Sequence, residues 1–238
     1  ILAKNWSGLS RGIRTIISFA PLMAGQVLAA YAFFKKSGSV AWREGTASFL
    51  TASIGAAVSL IGQTYNISGD FDSFLLAWML LGFPVIYLLN ATLPALFYMT
   101  GITLWAAYVQ GELRGDALLF WLLLALVLPF IYGKVRSGRF TNPSVFLCWS
   151  LSLVLCIALG VVLEKVLPGL WIVVYGAYFT ALYLLGELEF NDAPALWQQP
   201  FKVVGTAGIL VMSFIYTYEW PWKDIGVRNY RHEFGYNV

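Results

Sequence analysis

Charged residues are scarce in this chain of 238 residues, and their scarcity decides the class of protein. Asp, Glu, Lys and Arg make up 11% of the sequence, against roughly 25% in soluble domains, while 59% of the residues are apolar. A soluble domain with this composition would expose large apolar patches. The formal net charge of +3 is too small for a nucleic-acid-binding surface. The composition therefore excludes a soluble globular protein and a nucleic-acid partner, and it predicts a polytopic membrane protein.

Residues and motifs typical of enzymes are also sparse. The one histidine, His232, lies near the C-terminus, outside any apolar run. No metalloprotease pattern, nucleophile elbow or P-loop is present. The acidic stretch at 187–192 is interpreted as a solvated loop rather than a metal site. The sequence therefore favours a protein that is not an enzyme, with no catalytic residue, no metal site and no cofactor.

Eight apolar segments approach the length of about 20 residues that a membrane-spanning helix needs. Lipid satisfies no backbone hydrogen bonds, so these unbroken runs predict helices. The expected fold is all-α, with a single transmembrane helical bundle over 1–238 and an interfacial aromatic tail at 220–238. The predicted spans are 13–34, 44–65, 73–90, 92–109, 116–133, 144–163, 169–186 and 203–219.

The second segment carries a ridge of small residues spaced four apart, namely Ala47, Thr51, Gly55 and Ser59. Such residues share one helix face and let a neighbouring backbone approach closely in lipid. The ridge predicts a helix-packing seam, either within the bundle or across a dimer. A substrate path along this seam is the alternative interpretation.

Polar residues concentrate directly after this ridge, in the sequence Gly-Gln-Thr-Tyr-Asn-Ile-Ser-Gly-Asp-Phe-Asp at 62–72. The stretch combines amides and hydroxyls with two carboxylates, and Asp72 stands where it can cap the next helix. Gln26, the polar residue nearest a span centre, is either an interhelical contact or a pocket contact. We therefore predict a ligand-binding region. Its candidate residues are Gln26, Gln63, Tyr65, Asn66, Asp70 and Asp72.

Two stretches of the sequence resemble a known family. The opening Ala-Lys-Asn-Trp at 3–6, with Arg11 and Arg14, and the motif at 62–67, with Asp72 and Trp78 behind it, resemble the DUF2157 group of predicted bacterial membrane proteins. The resemblance extends over 1–110. It implies a multi-pass protein of the bacterial inner (plasma) membrane, a further helix before Ile1, and a motif that lies outside the cytoplasm. It adds Trp78 to the candidate ligand-binding residues. It implies no mechanism, because the family has no assigned activity.

Two functions agree with these features. The first is transport or binding of a small or lipid-like solute. The spans lack the buried charges that a proton pump or antiporter needs, which argues against those two classes but not against uptake of a neutral or lipid-like solute. The second is a non-transporting sensor, scaffold or subunit of a larger membrane complex, in which the seam and the motif would be contact surfaces. In both cases the lipid bilayer is a partner, and a homo-oligomer or association with other membrane subunits is expected.

Overall fold

The computed structural model describes residues 8–67, 69–162 and 170–222, and within these ranges the chain folds into helices joined by short turns. The all-α membrane fold predicted from the sequence is confirmed. A short 3-10 helix at Leu196–Gln198 precedes the last α-helix. The α-helices are α1 (Arg11–Lys35), α2 (Val40–Tyr65), α3 (Phe71–Leu88), α4 (Thr92–Gly111), α5 (Leu119–Ser137), α6 (Asn142–Val162), α7 (Trp171–Phe190) and α8 (Pro200–Ile215).

Seven of the described helices, α1 to α7, are long and apolar enough to cross a membrane. The segment predicted at 203–219 instead forms the 16-residue helix α8, which is shorter than the roughly 20 residues of a full span. It starts early because Pro200 lies in its first turn, where the missing N–H of proline costs nothing. The opening motif at 3–6 and residues 223–238 of the predicted tail lie outside the described residues.

Contacts between helices divide the chain into two compact units, Ile1–Trp105 and Ala106–Val238. In the first unit, α1, α2 and α3 pack around small side chains. A Cβ atom added at Gly25 of α1 would lie 3.2 Å from the Cα atom of Leu50 on α2, so the two backbones nearly touch. The surrounding core is formed by Ala29, Ala32, Ala47, Leu50, Ile54, Val85, Leu89 and Ala91.

A tight turn joins α3 to α4, and a carboxylate from α2 holds its end. Asn90 adopts a left-handed backbone conformation with φ of 49°, which asparagine tolerates better than most residues. The Glu44 carboxylate then accepts hydrogen bonds from the backbone N–H groups of Thr92 (2.7 Å) and Leu93 (2.9 Å). The first N–H groups of a helix have no intrahelical partner, and the helix dipole attracts negative charge there. Glu44 therefore caps α4 from a neighbouring helix.

In the second unit, α7 and α8 pack closely through glycine. A Cβ atom added at Gly205 would lie 2.5 Å from the backbone nitrogen of Tyr183. Tyrosine hydroxyls link further helices, since Tyr175 donates to the carbonyl of Cys156 and Tyr216 to the carbonyl of Ile172, both at 2.8 Å. These hydroxyls use backbone carbonyls as acceptors, because lipid offers none.

The acidic stretch at 187–192 differs from its sequence interpretation. Glu187 and Glu189 lie in the last turn of α7 rather than in a solvated loop. Glu187 forms an ion pair with Lys202 (2.7 Å), and Glu189 forms one with Arg139 (2.9 Å). The apolar pattern of α7 continues through Leu188 and Phe190, so the helix extends past the acidic residues.

Glu44→Ala removes both acceptors from the first turn of α4. We expect the variant to unfold with a free energy about 1–2 kcal/mol lower than that of the wild type, as for the loss of a strong helix cap. Glu44→Gln, which retains one carbonyl acceptor, should lower the free energy of unfolding by a smaller amount. Thermal unfolding in mild detergent measures the effect, with the exposed Glu112→Gln as the control. A Glu44→Ala variant as stable as the control would show that the cap contributes nothing.

Gly205→Ala places a methyl group against the backbone of α7. We expect it to separate α7 from α8 and to lower the free energy of unfolding by about 1–3 kcal/mol, the usual cost of overpacking. Gly133→Ala is the matched control, because nothing lies within 4 Å of an added Cβ atom there. The free energy of unfolding of the control should rise by up to about 1 kcal/mol, because alanine has a higher helix propensity than glycine. Equal effects of the two substitutions on melting temperature would contradict the close α7–α8 contact.

Candidate binding cavity

The ridge of small residues on α2 contacts α3 within the first unit. Ala47, Thr51 and Gly55 are buried, and the indole of Trp78 lies directly on Gly55, where any Cβ atom would overlap the ring. The Trp78 Nε1–H group donates a 2.7 Å hydrogen bond to the backbone carbonyl of Thr51. The seam is thus filled by one large side chain of α3, and Ser59 lies beyond it.

Beside this contact, α1, α2 and α3 line an open cavity of about 1300 Å³. Its wall is mostly apolar, with Phe19 and Leu22 from α1, Leu50 and Ile54 from α2, and Leu81 from α3 among its residues. Polar residues gather at the end near the α2–α3 turn. They are Gln63, Asn66, Asp70 and Ser73, and we call Gln63, Asn66 and Asp70 the polar mouth.

The end of α2 positions the polar mouth. Asn66 adopts a left-handed conformation with φ of 50°, and its own N–H and that of Ile67 both donate to the Gly62 carbonyl. This arrangement ends the helix and gives the Gly62 carbonyl two donors. The side chains of Gln63, Asn66 and Asp70 are exposed, so the mouth opens to the surface of the unit.

Gln26 lines the cavity at a position farther from the polar mouth. Thr15 of α1 bonds to Tyr65 at the mouth end of α2, and Gln26 follows eleven residues later, roughly 16 Å further along the helix axis. Gln26 is exposed, and no residue that the structure describes forms a hydrogen bond with its amide. An amide in apolar surroundings is costly without a partner. The side chain thus presents unused donors and acceptors to the cavity.

The structure brings four of the predicted site residues to the cavity, namely Gln26, Gln63, Asn66 and Asp70. Ser59, predicted as part of the seam, lies there too. Tyr65 and Trp78 do not line it. The Tyr65 hydroxyl lies 3.0 Å from the Thr15 hydroxyl in a hydrogen bond that joins α1 to α2, and Trp78 fills the α2–α3 contact.

Asp72 does not have the capping position that the sequence suggested. The helix α3 starts at Phe71, so Asp70 is the N-cap residue and Asp72 lies in the first turn. The helix begins earlier than predicted because the aromatic side chains of Phe71 and Phe74 stack, with ring centroids 6.2 Å apart, and extend its apolar face. Asp72 lies outside the cavity lining, and its Oδ1 atom has no hydrogen-bond partner among the described residues.

Most of the cavity wall could not be identified from the sequence. Phe19, Leu22 and Leu81 are apolar residues in apolar helices, and nothing in the local pattern separates a wall residue from a lipid-facing one. Within the cavity lining, the residues of the polar mouth could be identified, because polar residues beside an apolar helix are unusual. In the described part of the chain, no cluster of three or more His, Cys, Asp or Glu residues could hold a metal ion.

Comparison with known proteins gives information at the level of a family. The family of predicted membrane proteins DUF2157 matches residues 1–95. The matched part contains α1, α2 and α3 and every residue that lines the cavity. The family resemblance predicted from the sequence is thereby confirmed for this part of the chain. No curated protein and no solved structure matches the chain.

Gln26→Leu tests whether the amide holds helices together or faces the cavity. An interhelical hydrogen bond in a membrane protein contributes about 0.6–2 kcal/mol, which the substitution would remove. Because no described residue bonds to Gln26, we expect the empty protein to be as stable as the wild type or more stable. The melting temperature in detergent measures this, with Gln110→Leu as the control for added hydrophobicity. A clear fall in stability would show that Gln26 is a structural contact.

Proposed function

We propose that this multi-pass membrane protein, whose helices contact the lipid bilayer, binds a lipid-like solute in the α1–α3 cavity and moves it within the membrane. The observation that carries the proposal is the cavity itself, whose wall is mostly apolar, with the polar mouth at one end and the single amide of Gln26 at the other. An amphiphile can place its head group at the mouth and its chain along the apolar wall. We further place the protein in the bacterial inner membrane, with association into a homo-oligomer or with other membrane subunits as an additional expectation.

The dimensions of the cavity support a lipid-like occupant. Along α3 its wall runs from Phe71 to Val85, which is roughly 21 Å of helix. One leaflet of a bilayer has about half the roughly 30 Å thickness of the hydrocarbon core. The wall is therefore long enough for an extended acyl chain. The volume of about 1300 Å³ also exceeds the range of about 300–1000 Å³ typical of sites for small molecules.

The position of Gln26 supports movement as well as binding. Its amide lies near the middle of the membrane-spanning length of α1, at the far end of the cavity from the polar mouth. A polar head group that leaves the mouth for the membrane centre loses its hydration, at a cost of several kcal/mol per unpaired group. An amide with free donors and acceptors lowers that cost at this depth.

The alternative function as a scaffold or complex subunit used both the seam and the motif at 62–72 as contact surfaces. Trp78 fills this seam from within the same unit, between Thr51 and Gly55. This observation favours solute binding over docking at the seam. Docking at the mostly exposed motif at 62–72 stays a prediction of the alternative function.

Retention of lipid by the purified protein tests the proposal. We expect native mass spectrometry in mild detergent to detect a bound lipid at fixed stoichiometry. Ala77→Trp, which projects an indole into the cavity from α3, should reduce retention, and Gln63→Ala, at the mouth, should weaken it by about five-fold, the value of one hydrogen bond. The matched control is Ala125→Trp, which adds the same ring on an exposed face of α5.

The control also separates a binding defect from unfolding. Ala77→Trp and Ala125→Trp should both remain folded by circular dichroism, and only the first should retain less lipid than the wild type. Equal retention by both variants, or a wild type that retains no lipid, would overturn the proposed function.

A further inference from the structure

We infer that the cavity selects amphiphiles whose head group carries a primary ammonium over those whose head group is purely anionic. This inference rests on the proposed function, because it names the chemical class of solute that the same cavity takes. It is argued from the side chains of the polar mouth and from the charges that the lining contains.

The charge in the cavity lining is negative. Among the described residues that line the cavity, Asp70 is the one that carries a charge, and the lining includes no lysine, arginine or histidine. The Asp70 carboxylate forms no cap hydrogen bond with α3, and no described residue pairs with it. A carboxylate beside an apolar wall attracts a cation and repels an anion more strongly than it would in bulk water.

The neighbouring side chains complete a set of acceptors. Gln63 and Asn66 each present an amide oxygen at the mouth, and neither side chain bonds to another described residue. A primary ammonium has three N–H donors and no acceptor. The carboxylate and the two amides together are three acceptor groups, which equals the number of N–H donors of the ammonium. A phosphate or glycerol head group without an amine would meet the carboxylate with no compensating positive charge.

An aromatic ring at the same end favours a cation further. Phe71 lies in the lining with about half of its surface exposed, and it stacks on Phe74, which also lines the cavity. The face of an aromatic ring attracts cations through its quadrupole. The rings thus add to the preference set by Asp70, and they provide the start of the apolar wall for the acyl chain.

Competition between two lipids tests the inference. The full chain is placed in vesicles of equal parts phosphatidylethanolamine and phosphatidylglycerol, extracted in mild detergent, and the lipids retained are counted by native mass spectrometry. We expect phosphatidylethanolamine to be retained about five-fold over phosphatidylglycerol, the preference that one partly exposed ion pair provides. Asp70→Asn should reduce the ratio to about one without reducing the total lipid retained.

Two further variants keep the result interpretable. Asp70→Glu retains the charge and should retain the preference. Glu112→Gln removes an exposed carboxylate outside the cavity lining and should change nothing. Equal retention of the two lipids by the wild type, or an unchanged preference in Asp70→Asn, would overturn the inference while leaving lipid binding intact. Failure of the proposed function gives a different result, namely no lipid retained by any variant.

Discussion

Inside a lipid bilayer no water is present to satisfy polar groups, and this constraint accounts for the contacts that hold the described helices together. Glu44 satisfies the first N–H groups of α4, which would otherwise lack partners. The Trp78 indole and the Tyr175 hydroxyl each reach a backbone carbonyl on a neighbouring helix. Each of these polar side chains forms a hydrogen bond to a neighbouring helix, because a polar group without a hydrogen-bond partner in lipid costs free energy. Gln26 departs from this pattern, and it faces the cavity.

The fold was largely predictable because the length of the apolar runs determines it. Long apolar runs must form helices in lipid, and each predicted span overlaps one helix of the structure. The ends of the helices were less predictable, since they depend on single residues. Phe71 extends α3 toward the N-terminus. Pro200 starts α8 early, but the helix ends at Ile215, before the predicted end at 219, and is therefore short for a full span. The cap by Glu44 joins residues almost fifty positions apart, and no local pattern indicates such a contact.

The candidate site was predictable only where polarity is unusual. Gln63, Asn66 and Asp70 were identified because polar side chains next to a membrane span need an explanation, and the structure places all three at one end of the cavity. Trp78 was assigned to ligand binding on the resemblance, yet its ring packs on Gly55 and its N–H group is already bonded. The apolar wall has no equivalent signal, because its residues have the same chemistry as those that face lipid.

The contact between Gly55 and Trp78 has a consequence for how the sequence can vary. The indole fills the space that any larger side chain at position 55 would need, and only glycine leaves room for it. A larger residue at one position therefore requires a smaller residue at the other, so that the two positions are expected to covary. Natural sequences with the same helix pair are expected to keep glycine together with tryptophan, or to replace both with a small residue at 78 and a larger one at 55.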